Sequence, residues 1–370
     1  MIKLASKIFL IALCIVGIGF SADAKPKNKS KAKEIILPAQ YRYKSINSNG
    51  MPAGKLFWKY KLEETITSAP AFSEEKLYVA DKSGRIYCFN AKNGELLWTD
   101  SIGEKLSDSS PDISQKILYI GTESGKLWQL NLQNDKKSHY YQVKEAIKSS
   151  PESIKNKVYF TSTDKKIYAL NTQNNTLIWS YKTGNIIEAS PTIYQDYAYV
   201  GSYDGKLYAF NAYEEKCLWT FQTEAPIVAK AIYSDGKVFI GSTDKYIYAI
   251  DAEKGTMKWK KKLLGVAASS PAYYNNMVFI ADSRGIVYAV NADNGSAVWQ
   301  YKTDGSIFQS PAIANGVLYV PSGDGYLYAF NVRNGSINWK YKTNDVPFSP
   351  IVNNGVVYFG SGDGYIYALK

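Results

Sequence analysis

One five-residue segment recurs eight times along this chain, and that periodicity constrains the fold more than any other feature. Ile167-Tyr168-Ala169-Leu170-Asn171 returns in recognisable form at Ile86, Leu127, Leu207, Ile247, Val287, Leu327 and Ile366, at a pitch of 39 to 41 residues. Upstream of each copy stands a Ser-Pro-like element, with Pro70, Pro111, Pro151, Pro191, Pro271, Pro311 and Pro350 in register and Ala231 in the fifth place. Downstream, a tryptophan falls eight residues after the Asn or Asp that ends the segment, giving Trp98, Trp179, Trp219, Trp259, Trp299 and Trp339; in the second copy His139 stands there instead. A self-similar period of this length marks a repeat architecture, in which each unit must stack on its neighbours to bury its apolar surface.

Each unit reads as four short strands. In the fourth they follow Ser190-Pro191 and then run over Tyr197–Ser202, Lys206–Asn211 and Cys217–Phe221, with Leu207 and Ala209 pointing one way and Tyr208 and Phe210 the other. Asp204-Gly205, Asp324-Gly325 and Asp363-Gly364 close one hairpin, and Asn93-Gly94, Asn294-Gly295 and Asn334-Gly335 close the next; the residue types predict type I′ turns. Asp164-Lys165 and Asp244-Lys245 lack the glycine, which predicts a different turn. Four strands per unit at about 40 residues, with an aromatic signature, describe the blade of a β-propeller. The chain ends choose the ring over an open solenoid. The eighth copy stops at Lys370 without a Trp strand, and the N-terminal side supplies a spare one around Trp58. The expected fold is therefore all-β: an eight-bladed propeller of four-stranded antiparallel blades, closed by the N-terminal strand completing the last blade, which leaves no open sheet edge at the seam.

The chain divides into residues 1–24, a cleavable export signal; 25–53, a Lys-rich linker and lead-in; and 54–370, the propeller. Lys3 and Lys7 precede an apolar run from Ile8 to Phe20, and Ala22-Asp23-Ala24 forms a small-x-small cleavage site. The run is too short to cross a bilayer core of about 30 Å as a helix. Cys14 is poorly placed for lipidation, because Leu13 precedes it where a lipoprotein signal carries a small residue. The expected location is the periplasm or envelope. Cys88 and Cys217 fall in different repeats and read as small buried hydrophobes rather than a disulfide. Net charge is +11, and five lysines between Lys25 and Lys33 supply nearly half of it, enough for weak contact with anionic membrane or wall polymer. Nucleic acid is not an expected partner of an exported chain, and the expected state is a monomer.

The unit Asn-Ala-x-Asn-Gly-x-x-x-Trp, as in Asn291 to Trp299, resembles the tryptophan-docking motif of the pyrroloquinoline-quinone (PQQ) dehydrogenase propellers, and recurs from residue 54 to 370. The resemblance implies that Trp58, Trp98, Trp179, Trp219, Trp259, Trp299 and Trp339 wedge one blade against the next. In length and in lacking other domains the chain looks more like the non-enzymatic branch, the BamB-type outer-membrane assembly factors, which implies a periplasmic scaffold and an outer-membrane barrel-assembly partner. It departs from the quinone enzymes in having no adjacent cysteine pair, and no cofactor is expected.

Catalytic chemistry has little to stand on. The single histidine, His139, occupies a structural Trp position, and histidine or cysteine metal clusters are excluded by count. Asp-Gly pairs such as Asp324-Gly325 serve as turns and lack the dense acidic loop that calcium needs. The informative position lies three residues before the Pro, on the strand expected to line the channel. It reads Thr67, Asp108, Lys148, Glu188, Val228, Ala268, Phe308 and Pro347, a charged arc followed by an apolar one. Lys230, in a Ser place, adds a cation beside the apolar arc. Two readings stand: Asp108, Lys148, Glu188, Lys230 and Phe308 line a pocket for an amphipathic ligand or peptide, or the charges satisfy one another at a wet mouth. The second unit is irregular, with Trp128 in a Tyr place and Lys136 to Tyr141 replacing a Trp strand. It reads either as a bulkier core or as an exposed Trp–Tyr contact patch. The expected function is a non-catalytic interaction scaffold in the envelope. The alternatives are a ligand-binding or sensory propeller taking a saccharide, peptide or wall polymer in its channel and, behind it, a quinone-dependent dehydrogenase.

Overall fold

The computed structural model describes residues 53–133 and 138–370. The export signal, Cys14, the Lys25–Lys33 arm, nearly all of the lead-in and the Lys136-Lys137 pair lie outside the described residues. Within them the chain forms thirty-two strands and no helix, arranged as eight four-stranded antiparallel sheets. Blade 4 is typical: Thr192–Tyr194, Tyr197–Gly201, Lys206–Asn211 and Cys217–Gln222, within a residue of the sequence-based bounds. Blades 1 to 7 are built from consecutive strands. Blade 8 takes its inner three strands from Ile351–Asn353, Val356–Gly360 and Tyr365–Leu369 and its outer one from Leu56–Lys61. There Trp58 pairs with Ala368 and Tyr60 with Ile366, and Lys55 and Lys370 exchange backbone hydrogen bonds of 3.0 and 2.9 Å. The ring is closed.

Closure explains why the blades do not alternate apolar with polar. Every blade is sandwiched, so both faces of its middle strands are buried. In blade 4, Tyr208 and Phe210 pack with Ile167, Ala169 and Trp179 of blade 3, while Leu207 and Ala209 pack with Tyr248 and Ile250 of blade 5. Aromatic rings on one face meet Ala and Leu on the next, so large and small interleave round the ring. Each fully buried Leu, Ile or Phe contributes about 1.5–3 kcal/mol.

The outer tryptophans lock this packing at two points. Trp58, Trp219, Trp259 and Trp299 donate from Nε1 to the carbonyl oxygens of Ala91, Ala252, Ala292 and Val332 of the following blade, at 2.8–3.1 Å, and Trp179 reaches Ala212 at 3.4 Å. The indole faces also rest on the outer hairpin of that blade. A Cβ added to Gly94, Gly255, Gly295 or Gly335 would lie 2.6–2.7 Å from the carbons of Trp58, Trp219, Trp259 or Trp299, and Gly54 stands likewise against Trp339. These glycines are doubly required, by a left-handed φ near +70° and by ring contact.

The turns depart from expectation. Asp204, Asp324, Asp363, Asn93, Asn294 and Asn334 do not take positive φ; only the glycine after each does. Gly205 donates to the Ser202 carbonyl at 3.1 Å and Ser202 to that of Lys206 at 3.0 Å, an ordinary turn followed by one left-handed residue. Lys165 and Lys245 make the same turn at φ 74° and 71°. The genuine type I′ pairs close the innermost hairpins instead, at Glu74-Glu75, Gln115-Lys116, Asp235-Gly236, Asn275-Asn276, Asn315-Gly316 and Asn354-Gly355. Glutamates and a lysine in that conformation gave no signal to read.

Gly295→Ala should lower the melting temperature more than Gly103→Ala. Both glycines sit at φ +70°, and the strain is worth about 1–2 kcal/mol, but nothing lies within 4 Å of a Cβ at Gly103. Parallel thermal melts isolate the tryptophan contact as the difference.

Candidate functional site

The innermost strands have only three residues each, and the segments entering them form the wall of the channel. Their Ser residues build a belt. The backbone N–H groups of Ala69, Ser110 and Ser150 donate to Ser110, Ser150 and Ser190 Oγ of the next blade at 2.9–3.1 Å, and those of Lys230, Ser270 and Ser310 to Ser270, Ser310 and Ser349 Oγ at 3.0–3.2 Å. The hydroxyl is missing in two blades, where Lys230 and Ala69 take its place. The Pro that follows has no N–H and leaves the belt to Ser.

At one end of the channel a cavity of about 510 Å³ gathers Asp108, Lys148, Glu188, Lys230 and Phe308 in one lining, with Thr67, Val228 and Ala268. The position three before Pro is thus a ring facing one space in seven blades. The eighth needs correction. Its entering segment is a residue shorter, Pro347 is buried and forms an isolated bridge to Ser361, just past the Val356–Gly360 strand, and Phe348 takes the place on the wall. Phe308 and Phe348 therefore stand on adjacent blades, and Phe308 is 56% exposed. Opposite them, Lys148 Nζ donates to Glu188 Oε1 at 2.7 Å and the Tyr203 hydroxyl to Glu188 Oε2 at 2.5 Å. The glutamate beside it raises the Lys148 pKa, and burial followed by the Glu188 hydrogen bond pushes Tyr203 up to about 12. Asp108 is exposed in the same arc.

Lys230 does not present a cation to the cavity. Its ammonium turns inward to Glu152 of blade 3, skipping blade 4, and both side chains are almost fully buried. Glu152 neighbours a second buried carboxylate, Asp112 of blade 2, which accepts from both the N–H and the hydroxyl of Ser153. Burial raises the Asp112 pKa to about 6; the Ser153 bonds and Lys230 pull it down and Glu152 pushes it up. Asp112 and Glu152 occupy the position directly after Pro, where other blades carry Ala, Ile or Thr. Two acids at that apolar position were the available signal, and scanning only the position three before Pro passed over them.

In blade 2 the missing Trp is replaced by a polar link. Gln129, buried where other blades have Ala or Cys, donates from Nε2 to Asn175 Oδ1 at 2.5 Å, and Asn175 Nδ2 donates to the Tyr140 carbonyl at 3.1 Å. Asn175, at φ 55°, holds the hairpin position that carries Gly against Trp58, Trp219, Trp259, Trp299 and Trp339. Trp128 is partly buried in the interblade core and packs 5.2 Å from the exposed Tyr140 ring, while its indole N–H is buried with no hydrogen-bond partner among the described residues. The residues do not fit a quinone site of the kind the resemblance carries. Cys88 lies in the core between blades 1 and 2 and Cys217 on an outer strand. No group of three or more His, Cys, Asp or Glu among the described residues is arranged to hold a metal ion.

Residues 45–261 match the family model described as outer membrane protein assembly factor BamB, and residues 173–370 the one described as the β-propeller of beta-alanine-activating enzyme. No curated protein matches the chain. Among solved structures, the chain is similar to BamB from Moraxella catarrhalis, with TM-score 0.76 and 16% identity over 85% of this chain and 99% of that one. It is also similar to the computationally designed Ika8 protein, with TM-score 0.75 and 16% identity over 86% and 99%. At that identity the likeness is one of fold.

Lys230→Ser would restore a belt hydroxyl yet leave two buried carboxylates uncompensated, and should destabilise the protein by about 3–5 kcal/mol in denaturant melts. Asp112→Asn, which keeps an acceptor for the Ser153 amide, should act the other way. The unfolded chain releases the Asp112 proton near pH 3.8 and the folded one near 6, so stability falls as pH rises through that window. The substitution should flatten that fall and raise stability at pH 7 by about 1–3 kcal/mol, read from melts between pH 4 and 8.

Proposed function

This chain belongs to the PQQ-like β-propeller family whose model over residues 45–261 is that of the BamB-type assembly factors, and we propose that it is a non-catalytic interaction scaffold of the cell envelope. In this reading residues 1–24 direct export, the Lys25–Lys33 arm makes weak contact with anionic membrane, and the propeller presents its loops to an outer-membrane barrel-assembly component. The family match carries the proposal. The channel supports it, because most of its charges are paired within the fold: Lys230 with Glu152, and Lys148 with Glu188, whose other oxygen accepts from the Tyr203 hydroxyl. A nucleophile activated by a neighbouring base is the arrangement a hydrolase would need there, and the lining offers serines whose hydroxyls serve the belt.

A second reading, ligand binding in the channel, is favoured by the cavity with its exposed Phe308. Affinity-tagged protein, crosslinked in cells and purified from detergent-solubilised envelope, should carry a β-barrel assembly protein in stoichiometric amount, identified by mass. Recovery of the protein alone would overturn the scaffold. Added quinone and calcium should give no substrate-dependent dye reduction, and its appearance would overturn the non-catalytic reading.

A further inference from the structure

The outer strand of each blade has a far side that pairs with nothing else in its sheet, and such an edge invites another chain unless something blunts it. In seven blades two devices are at hand. A bulge beside the tryptophan bends the strand. In six of those seven the strand also carries a charged side chain; the exception, Cys217–Gln222 of blade 4, keeps its bulge. Blade 2 has neither. Ser138–Gln142 contains no Lys, Arg, Asp or Glu, and its pairing with Lys126–Asn131 runs without a shift of register.

The register fixes which backbone groups point out. The Val143 N–H donates to the Gly125 carbonyl at 2.8 Å. Bonded and unbonded residues alternate along an antiparallel ladder, so Tyr141 and His139 turn inward, while Ser138, Tyr140 and Gln142 turn their N–H and C=O groups outward. All three are exposed. The 3.1 Å bond from Asn175 Nδ2 reaches the Tyr140 oxygen from outside the ladder and takes one of its two lone pairs. The side chain at the centre of this edge differs as well. At the place of Tyr140 three blades carry Lys59, Lys260 or Lys340 and the other four Ser, Thr or Gln. Tyr140 is 47% exposed, its ring lies against Trp128, and Lys126, 4.6 Å from the ring centre, is held by Glu104. Unpaired main chain beside an exposed ring supplies both parts of strand addition, hydrogen bonds for affinity and a side-chain contact for selectivity.

We infer that the Ser138–Gln142 edge of blade 2 is the docking edge for an extended segment of the partner, which adds a fifth strand to the blade and sets a β-branched or aromatic side chain against Tyr140. The inference rests on the scaffold reading for the identity of the partner. A second copy of this chain is the poorer occupant. In the register that pairs all five residues, the flanking sequence would bring Lys136 opposite Lys144 and Asp135 opposite Glu145, like charges that weaken a ladder. The edge strand is already held by blade 2, so the added segment alone gives up backbone freedom on binding.

The test uses the purified full chain and three blocked nonapeptides: alternating threonine and valine with a central tyrosine, the same N-methylated at two adjacent central residues, and the first with lysine for every valine and the tyrosine. The two methyl groups remove one donor from each edge of the peptide and leave its side chains unchanged. Titration calorimetry should give affinity for the first at least about tenfold above both others. Its binding should slow hydrogen exchange in residues 138–142 and in no other outer strand. Tyr140→Lys, which installs the residue of three other blades, should cost the first peptide about tenfold without lowering the melting temperature. Tyr140→Thr, the residue of blades 1 and 4, should cost less, and Leu218→Lys on the exposed edge of blade 4 nothing. Equal binding of the methylated peptide, binding by none of the three, protection at another blade, or unchanged binding in Tyr140→Lys overturns the inference. A concentration-dependent dimer that Tyr140→Lys abolishes also overturns it and gives the edge to a second copy. The two readings fail separately. A barrel partner captured from the envelope equally by Tyr140→Lys and by the unaltered protein removes the docking edge and leaves the scaffold. Peptide pairing that Tyr140→Lys abolishes, in a protein that captures no partner, keeps the edge and removes the scaffold.

Discussion

The pairing of Leu56–Lys61 with Tyr365–Leu369 is the contact on which the rest of this molecule depends. Each blade hides its two faces against its neighbours, so a ring open at one seam would expose the aromatic face of one blade and the Leu/Ala face of another. With the seam zipped, Trp58 and Tyr358 both reach the Ala91 carbonyl of blade 1, and the last interface becomes the same as the others. The channel, its belt and its cavity exist only because that seam is shut. Inside it, the Ser belt does for the inner circumference what the tryptophans do for the outer one, since each fastens a blade to the next by a hydrogen bond between neighbours.

Much of this was legible in the residues because a repeat states its rule many times. Strand positions in blade 4 fall within one residue of expectation, and the missing and spare Trp strands announce the closure. What stayed hidden depends on departures from the rule. Counting back from Pro350 fails by one because the entering segment of blade 8 is shorter, which moves Phe348 to the wall and hides Pro347. Lys230 reads as a free cation along the sequence, and only the fold brings Glu152 across an intervening blade to it. The turn types were misjudged because Asn and Asp tolerate positive φ without requiring it; here they occupy the preceding position and bind backbone N–H groups.

Blade 2 shows how a repeat absorbs the loss of a defining residue. Seven outer strands carry a bulge beside the tryptophan, whereas in blade 2 the ladder runs straight from Tyr141 to Ser138. Where five other interfaces set an indole against a glycine, here Gln129 reaches Asn175 of the receiving hairpin, which in turn bonds the Tyr140 carbonyl. Two side chains forty-six residues apart thus stand as an amide chain where other interfaces carry an apolar wedge. Beside it the Trp128 indole N–H is buried with no hydrogen-bond partner among the described residues.

The seam also dictates a timetable. Leu56–Lys61 and Tyr365–Leu369 are separated by some three hundred residues, so their pairing closes the longest loop in the fold and the other seven blades can form before it. Until then the first of these strands trails as an unsatisfied edge bearing Leu56 and Phe57, apolar side chains that stay exposed even in the finished ring. A chain cut short by one strand would not make a smaller wheel; it would remain an arc with two adhesive ends. Closure of the ring is thereby tied to the Tyr365–Leu369 strand.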